Sequence, residues 1–218
     1  MNFKNKRILI TAGPTWVAID SVRVISNIAT GRTGILLAQN LQDLGAKVTL
    51  VLGPIESCCL NPKIRLIRFK FFEDLRNIIN DELRSKKYNI LIHSAAVSDY
   101  QSKVKYHRKV GSGFKQWRLN LVPTVKIIDL IRKLDASLYL VGFKFEPQAK
   151  DSFFLAQARN LRKRVKANLV VANTIDKKNR YRAYVLNQGR RYGPISSRQG
   201  LARKLIKIMG DNLCRNLN

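Results

Sequence analysis

Residues 7–52, RILITAGPTWVAIDSVRVISNIATGRTGILLAQNLQDLGAKVTLVL, decide the fold of this chain. The apolar run at residues 7–11 predicts a short β-strand, and residues 47–52 predict a second one. Between them, residues 34–44 place their apolar side chains on one helical face, and Gly45 follows as a C-terminal cap. This order predicts a βαβ unit with parallel strands.

The same alternation continues along the chain. The pattern predicts strands at residues 64–69, 90–95, 138–145 and 169–172, and helices at residues 72–87, 127–134 and 153–166. A terminal β-hairpin (182–186 and 190–192) precedes a last helix at 197–209. We therefore predict one α/β domain over residues 1–218, with a mostly parallel sheet and helices on both faces. Residues 100–118 are irregular, which is typical of a functional or mobile segment.

The chain is strongly basic. Its 218 residues include 41 Lys and Arg against 14 Asp and Glu, a net charge of +27. The hydrophobic fraction of 45% excludes a disordered basic tail protein. Most of the excess lies in residues 101–218, which carry 27 basic and 6 acidic side chains. On charge alone, nucleic acid, an anionic membrane, a phosphorylated small molecule and a merely solvated face all remain open.

Cysteine use and hydropathy indicate a soluble, cytoplasmic protein. Cys58, Cys59 and Cys214 form neither a CxxC motif nor a disulfide framework, so we expect reduced thiols. The N-terminus does not resemble a signal peptide, and no apolar run reaches the roughly 18 residues that a membrane span needs. We expect no membrane partner.

The first strand leads into a possible phosphate site. Gly13 follows the strand, and Thr30, Gly31 and Arg32 stand at the start of the helix, where free backbone N–H groups and the helix dipole favour an anion. The alternative is that Gly31 and Gly34 merely allow close packing. Neither GxGxxG at the strand-to-helix turn nor a P-loop is present, which disfavours an NAD-dependent dehydrogenase.

A second group follows the strand at residues 90–95. Ser94 and Ala95 are small enough for a ligand to approach the backbone, and Asp99 is a candidate for a ribose hydroxyl or a magnesium ion. The alternatives are a capping role for Asp99 and a core position for His93.

Residues 11–34 and 94–100 (SAAVSDY) together resemble the phosphopantothenoylcysteine synthetase family, whose patterns run TAGxTxxxxDxVRxxSNxSSGxxG and AAVSDF. Residues 141–146 (VGFKFE) and 168–173 (NLVVAN) resemble its VGFxxET and DLIVAN strands. The matches are collinear from about residue 7 to the end. The resemblance implies a modified Rossmann-like fold that forms a homodimer, with the terminal hairpin as a candidate dimer element.

The resemblance also implies an activity. Family members ligate 4'-phosphopantothenate to L-cysteine in coenzyme A biosynthesis, through an acyl-nucleotide and with release of pyrophosphate, giving 4'-phosphopantothenoylcysteine. We expect CTP as co-substrate, ATP as the alternative, Mg²⁺ and no flavin. Since 218 residues leave no room for the flavin-containing decarboxylase domain of many bacterial relatives, we expect a stand-alone synthetase.

Site residues follow by position in the family motifs. Lys109 matches the essential lysine and is expected to stabilise charge on the nucleotide phosphates in the first half-reaction. Asn27 matches an asparagine that holds the acyl-phosphate for attack by the cysteine amine. Asp99 is the candidate for the ribose or the metal. The nucleotide-binding set implied by the resemblance is His93, Ser94, Ala95, Asp99, Lys109, Val125, Lys126, Ile127, Ile128 and Phe143.

Two departures from the family pattern concern basic residues. Leu161 and Val165 stand where bacterial members have two lysines, and we expect Arg162 and Lys166, spaced i, i+4, to replace them on the nucleotide phosphates. KVGSG at 109–113 replaces the bacterial KIKK run, which leaves the nucleotide preference open.

A nucleic-acid-binding protein is the alternative from another functional class. Tyr100, Tyr106, Phe114 and Trp117 are interleaved with basic residues, as in single-strand binding surfaces. This interpretation leaves the two diagnostic motifs unexplained, so nucleic acid is not a required partner.

Overall fold

A computed structural model describes residues 3–55 and 60–215. Its helices are α1 (Arg32–Asp43), α2 (Phe72–Arg84), α3 (Ile127–Leu134), α4 (Asp151–Arg164) and α5 (Arg198–Arg215). Its strands are β1 (Arg7–Ala12), β2 (Trp16–Ala18), β3 (Val24–Ser26), β4 (Lys47–Leu52), β5 (Arg65–Arg68), β6 (Ile90–His93), β7 (Tyr100–Ser102), β8 (Leu121–Pro123), β9 (Tyr139–Phe145), β10 (Leu169–Ile175), β11 (Tyr181–Leu186) and β12 (Arg191–Ile195).

An 8-stranded sheet forms the centre of the molecule, in the order β12-β11-β10-β9-β6-β1-β4-β5. Neighbouring strands from β5 to β10 are parallel, whereas β11 and β12 form the predicted hairpin and run antiparallel. The predicted α/β class with a mostly parallel sheet is confirmed. Some elements end a few residues from the predicted position. For example, the helix predicted at residues 72–87 ends at Arg84.

Alternate residues of the buried strands face the two helical layers. Ile10 on β1 packs in the core beneath α1 and α5, with Leu37 and Leu205. Its neighbour Leu9 faces the opposite core, beneath α2, α3 and α4, with Leu75 among its members. Because both faces are covered, the inner strands are almost continuously apolar, as expected for parallel strands.

Two 2-stranded sheets lie beside the main sheet in the described part of the chain. One pairs β2 with β3 between β1 and α1, and the other pairs β7 with β8 between β6 and α3. Both are therefore inserted after the carboxyl end of a central strand. The sequence pattern does not reveal them, because three-residue strands are too short to show a period.

One arginine joins the ends of two helices. The guanidinium of Arg132, on α3, donates to the carbonyl oxygens of Asp135, Ala136 and Leu138 just beyond its own helix. It also donates to those of Val165 and Lys166 just beyond α4.

Two of the cysteines, Cys58 and Cys59, lie outside the described residues. Cys214 is a free, exposed thiol. Of the helices described, none combines the length and the apolar character that crossing a bilayer requires.

Candidate active site

The centre of the candidate site is the carboxyl end of β1 and β6. Thr11 and His93 are register partners there, and the Thr11 Oγ1 lies 2.8 Å from the His93 Nδ1. His93 is buried, and burial lowers its pKa to about 4, so its ring is neutral at pH 7. Its side chain is therefore a core histidine with a hydrogen-bond partner, which is the alternative that the sequence left open.

The N-terminus of α1 is packed directly against this edge. A Cβ on Gly34 would lie 2.5 Å from the Ala12 Cβ and 2.7 Å from the Ser94 Oγ, and Gly31 caps the helix with a φ of 64°. Close packing therefore explains both glycines without a ligand. The same packing brings the first turn of α1 beside Ser94. No side chain caps this turn, so its amides are open to an anion.

Hydroxyl groups join the loops that follow β1 and β6. The Ser94 Oγ donates to the Thr11 carbonyl at 2.7 Å, and the Ser98 amide donates to the Thr15 Oγ1 at 2.9 Å. The Ala96 amide donates to the Gly13 carbonyl at 2.9 Å, and Gly13 has a φ of 83°. Thr11, Thr15 and Ser98 were not predicted as site residues, and polar residues at or shortly after the ends of buried strands are the signal that marks them.

Asn27 is exposed, and its Nδ2 donates to the Ala96 carbonyl at 3.0 Å. This bond links the segment after β3 to the loop after β6, so the two motifs that suggested the function meet here. Thr30 and Arg32 are exposed beside it at the start of α1. Arg32 also borders a cavity of about 750 Å³ between α1 and the start of α5.

The loop after β6 leads to an ion pair. The Lys126 Nζ lies 2.6 Å from the Asp99 Oδ1, and both side chains are about half exposed. The Thr124 Oγ1 donates to the Ser98 carbonyl at 2.7 Å, which holds the start of α3 against the loop that contains Ala95. Val125 is exposed, whereas Ile127 and Ile128 are buried at the start of α3.

Phe143 lies on the neighbouring strand, one residue past Gly142, the register partner of His93. Its ring is partly buried against the core beneath α1 and α5. The structure thus brings Phe143 to the same edge as His93, on the α1 side of the sheet.

Lys109 is exposed in the long segment between β7 and β8. Asp20 and Arg23, in the β2–β3 turn, bind the backbone of the next residue, Val110. Sequence analysis assigned no role to Asp20 or Arg23, although both match the DxVR part of the family pattern. The Arg23 guanidinium lies 5.2 Å from the Trp117 ring centre, so this aromatic ring has a partner within the chain.

Arg162 and Lys166 do not join this group. They border a cavity of about 570 Å³ together with Tyr139 and Asn168, which mark the start of β9 and the residue before β10. That is the amino edge of the sheet, because a helix after a parallel strand runs back to where the next strand starts. This placement corrects the expected grouping: a nucleotide site formed within one chain at the carboxyl edge does not include these two residues.

Metal ligands are sparse. Within residues 3–55 and 60–215, no three His, Cys, Asp or Glu side chains form a group that could hold a metal ion. Asp99 is a single carboxylate with a lysine as its counterion.

Comparison with known proteins gives a consistent result. Residues 3–211 match the family described as DNA/pantothenate metabolism flavoprotein C-terminal domain. The coenzyme A biosynthesis bifunctional protein CoaBC of Thermococcus kodakarensis is 36% identical over 176 residues, which are 80% of this chain and 42% of that protein. The chain thus spans less than half the length of this relative.

Solved structures extend the comparison over the whole fold. The DNA/pantothenate metabolism flavoprotein from Streptococcus pneumoniae has a TM-score of 0.85 at 25% identity, covering 95% of this chain and 99% of that one. The C-terminal domain of CoaBC has a TM-score of 0.79 at 25% identity, covering 97% of each chain.

Proposed function

This chain belongs to the family of DNA/pantothenate metabolism flavoprotein C-terminal domains, and from that premise we propose that it ligates 4'-phosphopantothenate to L-cysteine. The reaction is a step of coenzyme A biosynthesis, the process named in its relative CoaBC. Family membership agrees with the resemblance to phosphopantothenoylcysteine synthetases found in the motifs.

The observation that carries the proposal is the hydrogen bond from Asn27 to the Ala96 carbonyl. It joins the SNIATG segment to the SAAVSDY segment at the carboxyl ends of β1 and β6, where an α/β sheet binds its ligand. The uncapped start of α1 supplies positive potential there. A phosphorylated carboxylic acid and a nucleotide both need such an edge.

The chemistry assigns two steps to two residues. A carboxylate is a poor electrophile, so it first attacks the α-phosphate of a nucleoside triphosphate, and pyrophosphate leaves with the P–O bond electrons. Lys109 stabilises the charge that develops on the phosphate. The Asn27 amide then holds the acyl-phosphate while the cysteine amine attacks the carbonyl carbon, and the nucleoside monophosphate leaves.

We propose CTP as the nucleotide, with ATP as the alternative. Asp99 faces the ribose, and the backbone at residues 125–128 and the ring of Phe143 border the base. Magnesium would neutralise the phosphate charge. A single exposed carboxylate fits a Mg²⁺ ion that is held mainly by substrate phosphates rather than by a protein cage, with Asp99 as its protein ligand.

A homodimer in the cytoplasm completes the proposal. Apolar side chains on and beside the two small sheets are exposed, among them Val24, Ile28 and Leu121. An interface between two copies at the small sheets would remove these apolar side chains from water. The terminal hairpin is the other candidate dimer element, because its strand β12 forms an edge of the main sheet.

Pyrophosphate release tests the function. Purified protein is given 4'-phosphopantothenate with CTP or with ATP, each with and without L-cysteine. We expect substrate-dependent release with one nucleotide, and 4'-phosphopantothenoylcysteine only when cysteine is present. Absence of release with both nucleotides would contradict the proposed activity.

A further inference from the structure

The β2–β3 hairpin holds a carboxylate that is unusually well satisfied. The Asp20 side chain is fully buried, although it lies in a turn. Its Oδ1 accepts hydrogen bonds from the amides of Val22 at 2.9 Å and Arg23 at 2.8 Å. These two bonds shape the turn, and they would suffice for a purely local role.

The second carboxylate oxygen reaches a distant segment. The Asp20 Oδ2 accepts from the Val110 amide at 3.1 Å and from the Arg23 Nη1 at 2.6 Å. The Arg23 Nη1 also donates to the Val110 carbonyl at 3.2 Å. Asp20 and Arg23 therefore bind both backbone polar groups of one residue, as a neighbouring β-strand would. Burial raises the pKa of Asp20, but the backbone N–H groups outweigh it and lower the pKa to about 2.

The rest of this segment has little else to hold it. Of the hydrogen bonds in the described part of the chain, those at Val110 alone connect residues 105–119 to other elements. A Cβ added to Gly111 or to Gly113 would meet no heavy atom within 4 Å, and residues 111–116 are exposed. Trp117, which lies under Arg23, adds a second contact with the same arginine.

Lys109 is the residue next to this anchor. Its Cα lies about 3.8 Å from that of Val110, the distance across any trans peptide. The hairpin that binds Val110 also carries Asn27, because Arg23 directly precedes β3 and Asn27 directly follows it. One short strand, roughly 13 Å from Arg23 to Asn27, thus connects the anchor of Lys109 to the other proposed catalytic residue.

We propose that Asp20 is a positioning residue that, through Arg23 and Val110, fixes the backbone of Lys109 for the first half-reaction. The inference rests on the proposed function. The proposal explains the spacing of residues 20–27 (DSVRVISN). The Asp20 carboxylate and the Arg23 guanidinium position Lys109, and the amide of Asn27, four residues after Arg23, holds the intermediate.

Asp20→Asn tests this role, because it keeps the size of the side chain and replaces one acceptor with a donor. We expect acyl-nucleotide formation to slow about 100-fold in kcat, the cost of a misplacement of about 1 Å. The condensation of preformed acyl-nucleotide with cysteine should stay within twofold of wild type. The double variant D20N/K109A should be no slower than Lys109→Ala, since Asp20 acts through Lys109. Additive losses would overturn the positioning role.

A matched control lies elsewhere in the chain. Asp176 makes the same kind of turn with Arg180, accepting from the amides of Lys178 and Arg180 at 2.9 Å and from the Arg180 Nε at 2.7 Å. It has no hydrogen bond to the segment that contains Lys109. Asp176→Asn should leave both half-reactions unchanged.

Hydrogen exchange provides a readout without substrate. In wild-type protein the Val110 amide should exchange at least tenfold more slowly than the amides of residues 105–109, and the difference should vanish in Asp20→Asn but persist in Asp176→Asn. Equal exchange in wild type would overturn the inference even if Asp20→Asn fails to fold. A wild-type protein that protects Val110 but releases no pyrophosphate would contradict the proposed function instead.

Discussion

The two edges of the main sheet end in different kinds of polar group. At the carboxyl edge, hydroxyls and backbone amides bind one another across loops, and the first turn of α1 is uncapped. At the amino edge, charged side chains pair: the carboxylate of Glu82, on α2, accepts from Arg65 at 2.8 and 2.9 Å. The Lys87 Nζ lies 3.0 Å from the same carboxylate, and the buried Tyr88 hydroxyl donates to it.

This difference separates function from stability. The open amides at the start of α1 and the small side chains beside them can accept a phosphate without breaking a side-chain ion pair, so this part of the carboxyl edge is suited to a ligand. At the amino edge, the Glu82 carboxylate is already paired with Arg65 and Lys87. Substitutions at each edge test this separation.

The largest effect should come from Lys109→Ala. We expect acyl-nucleotide formation to fall by about 10²–10³-fold, the cost of losing one donor to developing charge. Single-turnover pyrophosphate release measures this step. Lys115→Ala is the control, since Lys115 is an exposed lysine of the same segment, and it should stay near wild type. Accumulation of acyl-nucleotide in Lys109→Ala would contradict the assigned role.

Asn27→Ala should block the second step. We expect condensation to slow by about 100-fold while acyl-nucleotide still forms, because the lost amide holds the intermediate for attack. Quenched reactions resolved by chromatography would show the intermediate accumulating when cysteine is present. Equal loss of both steps would place Asn27 in substrate binding instead.

His93 should make the protein sensitive to mild acid. The pKa of His93 in the folded protein is about 4, below its ordinary value of 6.5. Between these pH values the unfolded chain binds a proton at His93 and the folded chain does not. Stability should therefore fall as the pH drops from 6.5 towards 4, by about 3 kcal/mol in total. Urea unfolding across this range measures it, and His93→Gln should remove this part of the pH dependence.

Glu82 should act at lower pH. Burial raises its pKa, but hydrogen bonds from Arg65, Tyr88 and Lys87 outweigh it and lower the pKa to about 2 from 4.5. Its contribution is thus fully present above pH 4.5 and is lost as the pH falls through about 2. Because Arg65 is half exposed, we expect Glu82→Gln to cost about 1–2 kcal/mol at pH 7. Urea unfolding measures the cost. Unchanged rates of both half-reactions in Glu82→Gln would show that the amino edge takes no part in catalysis.

Arg162→Ala and Lys166→Ala should have the smallest effect, less than about twofold on either half-reaction, since both residues lie at the amino edge. Steady-state kinetics with CTP and ATP measure it. A tenfold rise in the KM for the nucleotide would restore the sequence-based prediction and imply that a second copy of the chain supplies these residues.

Most of the main sheet could be predicted from the sequence because its strands and helices are long enough to show a period. The core position of His93 was one of two alternatives that composition could not separate, since the same HSAA stretch fits both. The β2–β3 turn was missed as an anchor because nothing local to Asp20 reveals a partner 90 positions away.

The expected grouping of Arg162 with the phosphates is not formed within one chain, for a different reason. The i, i+4 spacing identifies a shared helix face but not the end of the helix at which that face lies. The direction of α4 after a parallel strand contains that information, and connectivity alone would have placed Arg162 at the amino edge.

Arg132 has a consequence for how the structure opens. Its single guanidinium donates to carbonyl groups in the segment just after α3 and in the segment just after α4, and so ties the two segments together. Neither helix end can fray without disturbing the donors that the other end uses. The two ends should therefore unfold as one cooperative unit, which makes this corner of the protein a single rigid joint rather than two independent termini.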